Sequence, residues 1–355
     1  MKYFIFDSGS SLHTPSYCNA IISSFEKNSN EFIVQTQEIN KHFLYYHLIW
    51  SLWKYKPDVF FIVTGDKFAK WFFVLWLPLI LFKKIPCIAF YFSYHNLYHY
   101  SAKSFALHVL LFTGLIDRLI VSDPLLDSSH RFPLFLKSKI SFAPDYWEPC
   151  DSINEKYDQV ESRKIVQLPD SAFVVTLVGA VTEKKNSLLL MNICESYPAM
   201  IKQHNIHFVL AGSFSNGTKS FLLNTFGSAE SLPDYITVRD EFIPNNLLPH
   251  YLNSSSLIWC IQNDFLNSSG IFTRACANGT PSIVNPNSTL SSLSSGLDIA
   301  IIPPDLSPGS VLNTIIDFAN SGEYAQMSLN CIKYASSTSL MRFSTKLNQI
   351  TSELV

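Results

Sequence analysis

Short apolar runs alternate with helix-like segments along almost the whole chain, and this alternation constrains the fold more than any other feature. KYFIF (2–6) precedes a helical stretch from about Pro15 to Lys27, then EFIVQT (31–36), a helix-like segment near 41–55, and PDVFFIVTG (57–65). An apolar helix at 66–82 leads into PCIAFYF (86–92), a helix near 103–114, DRLIVSD (117–123) and KISFA (139–143). Strands alternating with helices predict a parallel, doubly wound sheet. The near-continuous apolar runs fit strands buried on both faces.

The pattern breaks at 144–170, a polar, charged stretch bracketed by prolines. A second alternation follows: AFVVTLVG (172–179), the helix NSLLLMNICESY, IHFVLAGS (206–213), YITVRDEFI (235–243), a helix at 245–252 and SLIWCIQ (256–262). PSIVN (281–285) and IAIIPP (299–304) complete the sheet, and a helical tail occupies about 308–353. The expected organisation is α/β, with two Rossmann-like doubly wound domains facing a cleft. Residues 1–150 form the first domain, 151–171 a linker, 172–325 the second domain, and 326–355 terminal helices that pack back on the first.

A chain of 355 residues with 47% hydrophobic content has material for two cores. The net charge of −2 gives no broad basic field, so nucleic acid is not an expected partner. Seven Cys without C-x-x-C spacing read as reduced thiols rather than disulfides or a zinc site. The five N-x-S/T sequons reflect an Asn- and Ser-rich composition, because the opening MKYFIFDSG reads as a buried strand and not as a signal peptide. The expected location is therefore cytoplasmic. The segment WFFVLWLPLILF (71–82), flanked by Lys70, Lys83 and Lys84, is about 12 apolar residues long, where a span needs roughly 20. It is either a buried helix or one that also touches the inner face of a membrane through 66–84.

In doubly wound sheets, ligands bind beyond the carboxyl ends of the strands. The loops there include SGSSLHT (8–14), SYHNLYHY (93–100), GAVTEKKN (179–186) and NDFLNSSG (263–270). GAVTEKKN offers Gly179 and Lys185, either a phosphate partner or solvated surface charge. In NSSGIFTRACANGTP (267–281), Ser268, Ser269 and Gly270 open a short helix and Gly279 closes it. That is plain capping, or an anion site at a helix N-terminus. There is no G-x-G-x-x-G, P-loop, G-x-S-x-G or H-E-x-x-H, and no D-x-D pair for a metal diphosphate, so no metal is expected to be required.

The ordered series of segments resembles the GT-B glycosyltransferases of the family 4 type, most clearly from about 115 to 320. DRLIVSD is similar to that family's A-D-x-hydrophobic-hydrophobic-x-S strand. LPDSAFVVTLVGAVTEKKNSLLL is similar to its entry into the donor domain, and SSGIFTRACANGTPSIV to the helix that faces the donor. The resemblance implies transfer of a sugar from a nucleotide-sugar to a hydroxyl of a glycan or lipid-linked acceptor, with retention, in surface polysaccharide synthesis. It implies donor binding by Gly179, Lys185, Ser268, Ser269, Gly270 and Arg274, and an acceptor near Ser10 and His13. His95, within an aromatic cluster, is the candidate catalytic group that would orient or polarise a sugar hydroxyl. Two positions depart from the family pattern. Ala180 stands where many members carry Arg, and Arg274 where many carry a Glu for the ribose. A guanidinium cannot accept hydroxyl protons as a carboxylate does. Either another group holds the ribose, or the donor is bound differently, or the chain is an inactive glycan binder. A GT-B-fold nucleotide-sugar epimerase is the remaining alternative, with Glu183, Asp240, Glu241 and Asp264 as the nearest carboxylates.

Overall fold

The computed structural model describes residues 1–7, 14–26, 30–35, 41–63, 76–91, 102–122, 137–146, 158–227, 231–263 and 269–355, without the side chains of 14–16, 41–45 and 102–104. The chain divides into two compact units. The first is Met1–Tyr146 with Ser339–Val355, and the second is Trp147–Thr338.

The first unit is built on six parallel strands: β1 (Lys2–Phe6), β2 (Glu31–Gln35), β3 (Val59–Ile62), β4 (Cys87–Tyr91), β5 (Arg118–Val121) and β6 (Ile140–Phe142), in the order β2-β1-β3-β4-β5-β6. Every residue of β3 and β4 is buried, as their unbroken apolar composition requires of strands covered on both sides. One face carries α1 (Thr14–Phe25), whose Tyr17, Ile21 and Phe25 pack with Tyr3, Ile5 and Phe61. The other face carries α2 (Lys41–Tyr55), a helical turn at 76–81 and α3 (Ala102–Phe112), which contribute Leu48, Leu52, Leu79, Leu107 and Leu110 to a core with Phe4, Phe6 and Phe60. The helix expected at 66–82 is thus helical at 76–81, and 64–75 lies outside the described residues.

The second unit has the same plan. Its strands are β7 (Phe173–Val178), β8 (Ile206–Ala211), β9 (Ile236–Arg239), β10 (Leu257–Cys260), β11 (Ser282–Val284) and β12 (Ala300–Ile301), in the order β12-β11-β10-β7-β8-β9. All the pairings are parallel.

The domain limits differ from those expected. Much of the 151–171 segment is not a linker: α4 (Gln159–Ile165) is part of the second unit. Buried Arg163 holds it there, donating from Nε to the Ser254 carbonyl at 3.0 Å, from Nη1 to the carbonyls of Pro169 and Asp170, and from Nη2 to the Ser256 hydroxyl. A guanidinium can be buried here because its donors meet acceptors fixed by the backbone.

The terminal 326–355 segment is also divided. After α5 (Ser187–Ser196), α6 (Pro198–Gln203), α7 (Asn216–Phe226), α8 (Leu248–Ser254), α9 (Gly270–Ala277), α10 (Thr289–Ser294) and α11 (Pro308–Ser321), helix α12 (Tyr324–Ser337) stays in the second unit. Its Cys331 and Ala335 join the core around Phe272. Helix α13 (Leu340–Ser352) belongs to the first unit and lies on α1, with Phe343, Leu347 and Ile350 buried. Asn348 donates to the Ser24 carbonyl at 3.0 Å and the Ser24 hydroxyl to that of Ser344 at 2.8 Å. The expected strand at 299–304 is reduced to Ala300–Ile301, because Pro303 and Pro304 carry no N–H for a ladder.

Candidate functional site

Strand β7 lies between β10 and β8. The chain winds outward through β8 and β9, then returns to the other side of β7 and winds away through β10, β11 and β12. The loops after β7 and β10 therefore leave in opposite directions, and the gap between them is where ligands of doubly wound sheets sit. Those two loops carry Gly179, Lys185 and Ser269.

The loop after β7 is shaped by close backbone approach. Gly179 has φ +98, and a Cβ there would lie 3.2 Å from Lys185 Nζ. Gly212, at the end of β8, has φ +145, and its Cβ would fall 1.5 Å from the Gly179 carbonyl oxygen. Two strand ends meet here with no room for a side chain. The chain then makes a 3₁₀ turn at Glu183–Lys185, closed by Asn186 in the left-handed conformation.

This turn is fixed to the end of β10. Trp259 donates its indole N–H to the Lys185 carbonyl at 3.0 Å, and Asn263 donates its backbone N–H to the Lys184 carbonyl at 2.8 Å and its side-chain Nδ2 to that of Glu183 at 2.9 Å. Lys185 Nζ itself donates to the Val178 carbonyl at 3.4 Å. Burial pushes the ammonium below the usual lysine range, the state of a cation short of water and receptive to an anion.

The loop after β10 ends at Ser269, the N-cap of α9, whose hydroxyl accepts from the Phe272 N–H at 3.4 Å. The Thr273 N–H goes to the Ser269 carbonyl at 3.1 Å. The N–H groups of Gly270 and Ile271 then stand outside the intrahelical ladder, at the positive end of the helix dipole. At the other end, Gly279 (φ +71) closes α9 with paired bonds, Thr280 N to Ala275 O at 2.9 Å and Gly279 N to Cys276 O at 3.0 Å. The capping reading of 267–281 is correct for both ends of the helix.

One side chain joins the two loops. Burial pushes the Cys260 thiol up to about 11, and the Ser282 hydroxyl, the Lys185 ammonium and the Ser269 hydroxyl all act on the same sulfur in the opposite sense. The Lys185 turn is thus tied to the end of β10, the strand whose exit loop leads to the start of α9. Arg274 is half-buried one helical turn after Gly270, so the two share the outer stripe of α9, while Phe272, Thr273, Ala275 and Cys276 turn inward. Ser268, Ser10, His13 and His95 lie outside the described residues.

Trp259, Cys260 and Asn263 were not among the sequence candidates. Their types suit a buried strand and its exit, and only the register across β7 and β10 gives them a role. Of the four carboxylates nearest the site, Glu183 and Asp240 are engaged, and Asp264 lies outside the described residues. The Ser215 hydroxyl donates to Glu183 at 2.7 Å and holds its carboxyl below the usual range. Lys219 pairs with Asp240 at 2.8 Å, and the Phe214 N–H donates to it at 3.0 Å, with the same effect on its carboxyl. Among the described residues, no three His, Cys, Asp or Glu side chains gather where a metal ion would be held.

No family model matches the chain, and no curated protein matches it in sequence. Solved structures do match it in shape over its full length. HepE of Anabaena, in complex with UDP and glucose, aligns with TM-score 0.71 at 12% identity, covering 99% of this chain and 100% of its own. Sucrose-phosphate synthase of Thermosynechococcus elongatus aligns with TM-score 0.72 at 12% identity, covering 99% and 98%. The fold is GT-B. The UDP-GlcNAc 2-epimerase of Neisseria meningitidis, bound to UDP-GlcNAc, shares it with TM-score 0.63 at 13% identity, covering 99% and 100%. At these identities the GT-B likeness concerns architecture: two Rossmann-like units, each with six parallel strands.

Proposed function

We propose that this protein is a glycosyltransferase that moves a sugar from a nucleotide-sugar to a hydroxyl of a glycan or lipid-linked acceptor, with retention, in surface polysaccharide synthesis. The observation that carries this reading is the switch point of the second sheet, whose two loops carry Lys185, tied by its backbone to Trp259 of β10, and the Ser269-capped N-terminus of α9. A nucleoside diphosphate is the leaving group of such a transfer. Lys185, the N–H groups of Gly270 and Ile271 and the Ser269 hydroxyl suit its developing negative charge without a metal. Gly179 lets the diphosphate approach the backbone, Ser268 is a further proposed donor contact, and Arg274 adds a second cation on the outer stripe of α9. On the first unit, Ser10, His13 and His95 are the proposed acceptor side, with His95 orienting the acceptor hydroxyl. The bound structures of HepE and of the epimerase, which carry UDP or a UDP-sugar, support a nucleotide-sugar as the ligand.

The epimerase reading is less well supported. Acid/base work on a sugar carbon is best done by groups that titrate near neutral pH. Glu183 and Asp240 are both held ionised by neighbouring donors.

The test is a thermal-shift screen against UDP, GDP, CMP and dTDP and their common sugars, with and without EDTA. A ligand at one hundred times its dissociation constant should stabilise by about 2.7 kcal/mol. A shift for one nucleotide that survives EDTA, and that Lys185→Ala and Gly270→Val each weaken by about tenfold or more in affinity, supports the site. Absence of a shift with every nucleotide, together with binding of glycan alone, would leave the inactive binder. Turnover of a nucleotide-sugar without an acceptor would leave the epimerase.

A further inference from the structure

All the exposed tryptophans and tyrosines among the described residues lie on two helical segments of the first unit. They are Tyr46, Trp50 and Trp53 on α2 and Trp76 in the turn at 76–81. Trp53 is 66% exposed and Tyr46 68%. Phe105 and Phe112, 68% and 71% exposed, add two rings from α3. The inner sides of these three elements share one hydrophobic cluster, so all three cover the same face of the sheet and their outer sides form one surface. The opposite face, under α1 and α13, has its rings turned inward: Tyr17, Phe25 and Phe343 are buried.

The charge on this stretch is as uneven as its aromatics. Among the described side chains of residues 41–116 there are four lysines, no arginine, no glutamate and one aspartate, Asp58, in a chain whose net charge is −2. Lys54, Lys56, Lys83 and Lys84 are exposed beside the aromatic residues. The Lys54 ammonium lies 4.5 Å from the Trp50 ring centroid, so cation and ring are presented together. Protein interfaces are enriched in aromatic residues but depleted of lysine. Exposed tryptophans with a surrounding excess of lysine suit a partner that is apolar below and anionic above, which describes a phospholipid surface. No helix among the described residues is long and apolar enough to cross a membrane.

We propose that the outer side of α2, 76–81 and α3 is a docking surface for an anionic lipid bilayer. The rings sit at the level of the headgroups and the lysines against their phosphates. The surface extends well beyond the apolar segment around 66–84, because α2 and α3 supply most of its rings. It lies on the first unit and does not depend on the nucleotide site of the second, so either assignment can fail alone.

The test is flotation of the full chain with vesicles of phosphatidylcholine, alone or mixed with phosphatidylglycerol. The mixed vesicles should carry the protein at low ionic strength and release it as salt rises, with at least tenfold less bound to phosphatidylcholine alone. Lys83→Glu with Lys84→Glu should cut the bound fraction at least tenfold, and Trp53→Ser with Trp76→Ser should weaken binding to both vesicle types. A measurement that needs no variant is quenching of the native tryptophan emission by brominated lipid in the mixed vesicles. No flotation with mixed vesicles, equal flotation with both kinds, or variants that float like the wild type would each overturn the proposal. So would a dimer that the tryptophan variant dissociates while flotation is unchanged, since the surface would then serve a second copy of the chain.

Discussion

Trp259 donates its indole N–H to the backbone carbonyl of Lys185 at 3.0 Å, across the gap between β10 and the loop after β7. The bond fixes where the lysine backbone sits, and so where its ammonium can reach. Trp259→Phe keeps an aromatic ring in the core but leaves that carbonyl without its donor, at a cost of roughly 1–3 kcal/mol. The ligand-free protein should melt earlier, and the nucleotide-induced shift should shrink as well. A variant that melts earlier but keeps the full affinity for nucleotide would show that the Lys185 backbone does not set the donor site.

Much of this geometry is legible in the sequence, and the reasons for the rest are local. Strands β3 and β4 are unbroken apolar runs, which only a sheet covered on both faces explains. Gly179, Lys185 and Ser269 are legible because they follow strands. Helices α7 and α10 are not, since Asn, Gly, Thr and Ser dominate them. They form because Ser215 and Ser288 cap their first turns and, in α10, because the Ser288–Ser291 capping box satisfies both ends of that exchange. Helix α4 reads as a linker because its polar composition hides the one buried guanidinium that holds it. The role of Cys260 has no signature in one dimension, because it depends on Lys185 and Ser269 arriving from different loops.

Gly212 is a sharper test of the same loops. Its φ of +145 suits glycine, and an added Cβ would meet the backbone oxygen of Gly179 at 1.5 Å. Backbone cannot rotate aside as a side chain can, so the strand ends must part. Gly212→Ala should destabilise the second unit by roughly 3 kcal/mol or more and weaken nucleotide binding with it. A thermal unfolding curve indistinguishable from that of the wild type would mean that the two loops are not packed this closely.

The second unit should also lose stability in mild acid. Burial pushes the His207 imidazole, whose Nε2 lies 2.8 Å from the Thr237 hydroxyl, down to about 4 from an ordinary 6.5. Above 6.5 the ring is neutral in both folded and unfolded chains and costs nothing. As pH falls from 6.5 towards 4, the unfolded chain takes up a proton that the folded one resists, and stability declines by no more than about 3 kcal/mol. His207→Gln keeps a hydrogen-bonding side chain that does not titrate. Unfolding by urea at a series of pH values should show a shallower decline for the variant, and equal slopes would remove His207 as the cause.

The C-terminal helix offers a prediction that separates the two units. Phe343 on α13 is 1% exposed, with its ring centroid 4.9 Å from that of Tyr146 and 5.9 Å from that of Tyr17. It fills the core between α13 and the first sheet, where β4 contributes Phe90. Phe343→Ala removes a large ring from a packed site and should destabilise the first unit by about 3–5 kcal/mol. Residues 147–338 form their own unit, and neither Phe343 nor its neighbours in that core belong to it. The nucleotide-induced stabilisation should therefore survive in the variant, in a melting curve whose first-unit transition has moved to lower temperature. Loss of nucleotide binding in Phe343→Ala, with the second-unit transition intact, would require donor contacts from the first unit as well as from Lys185 and α9.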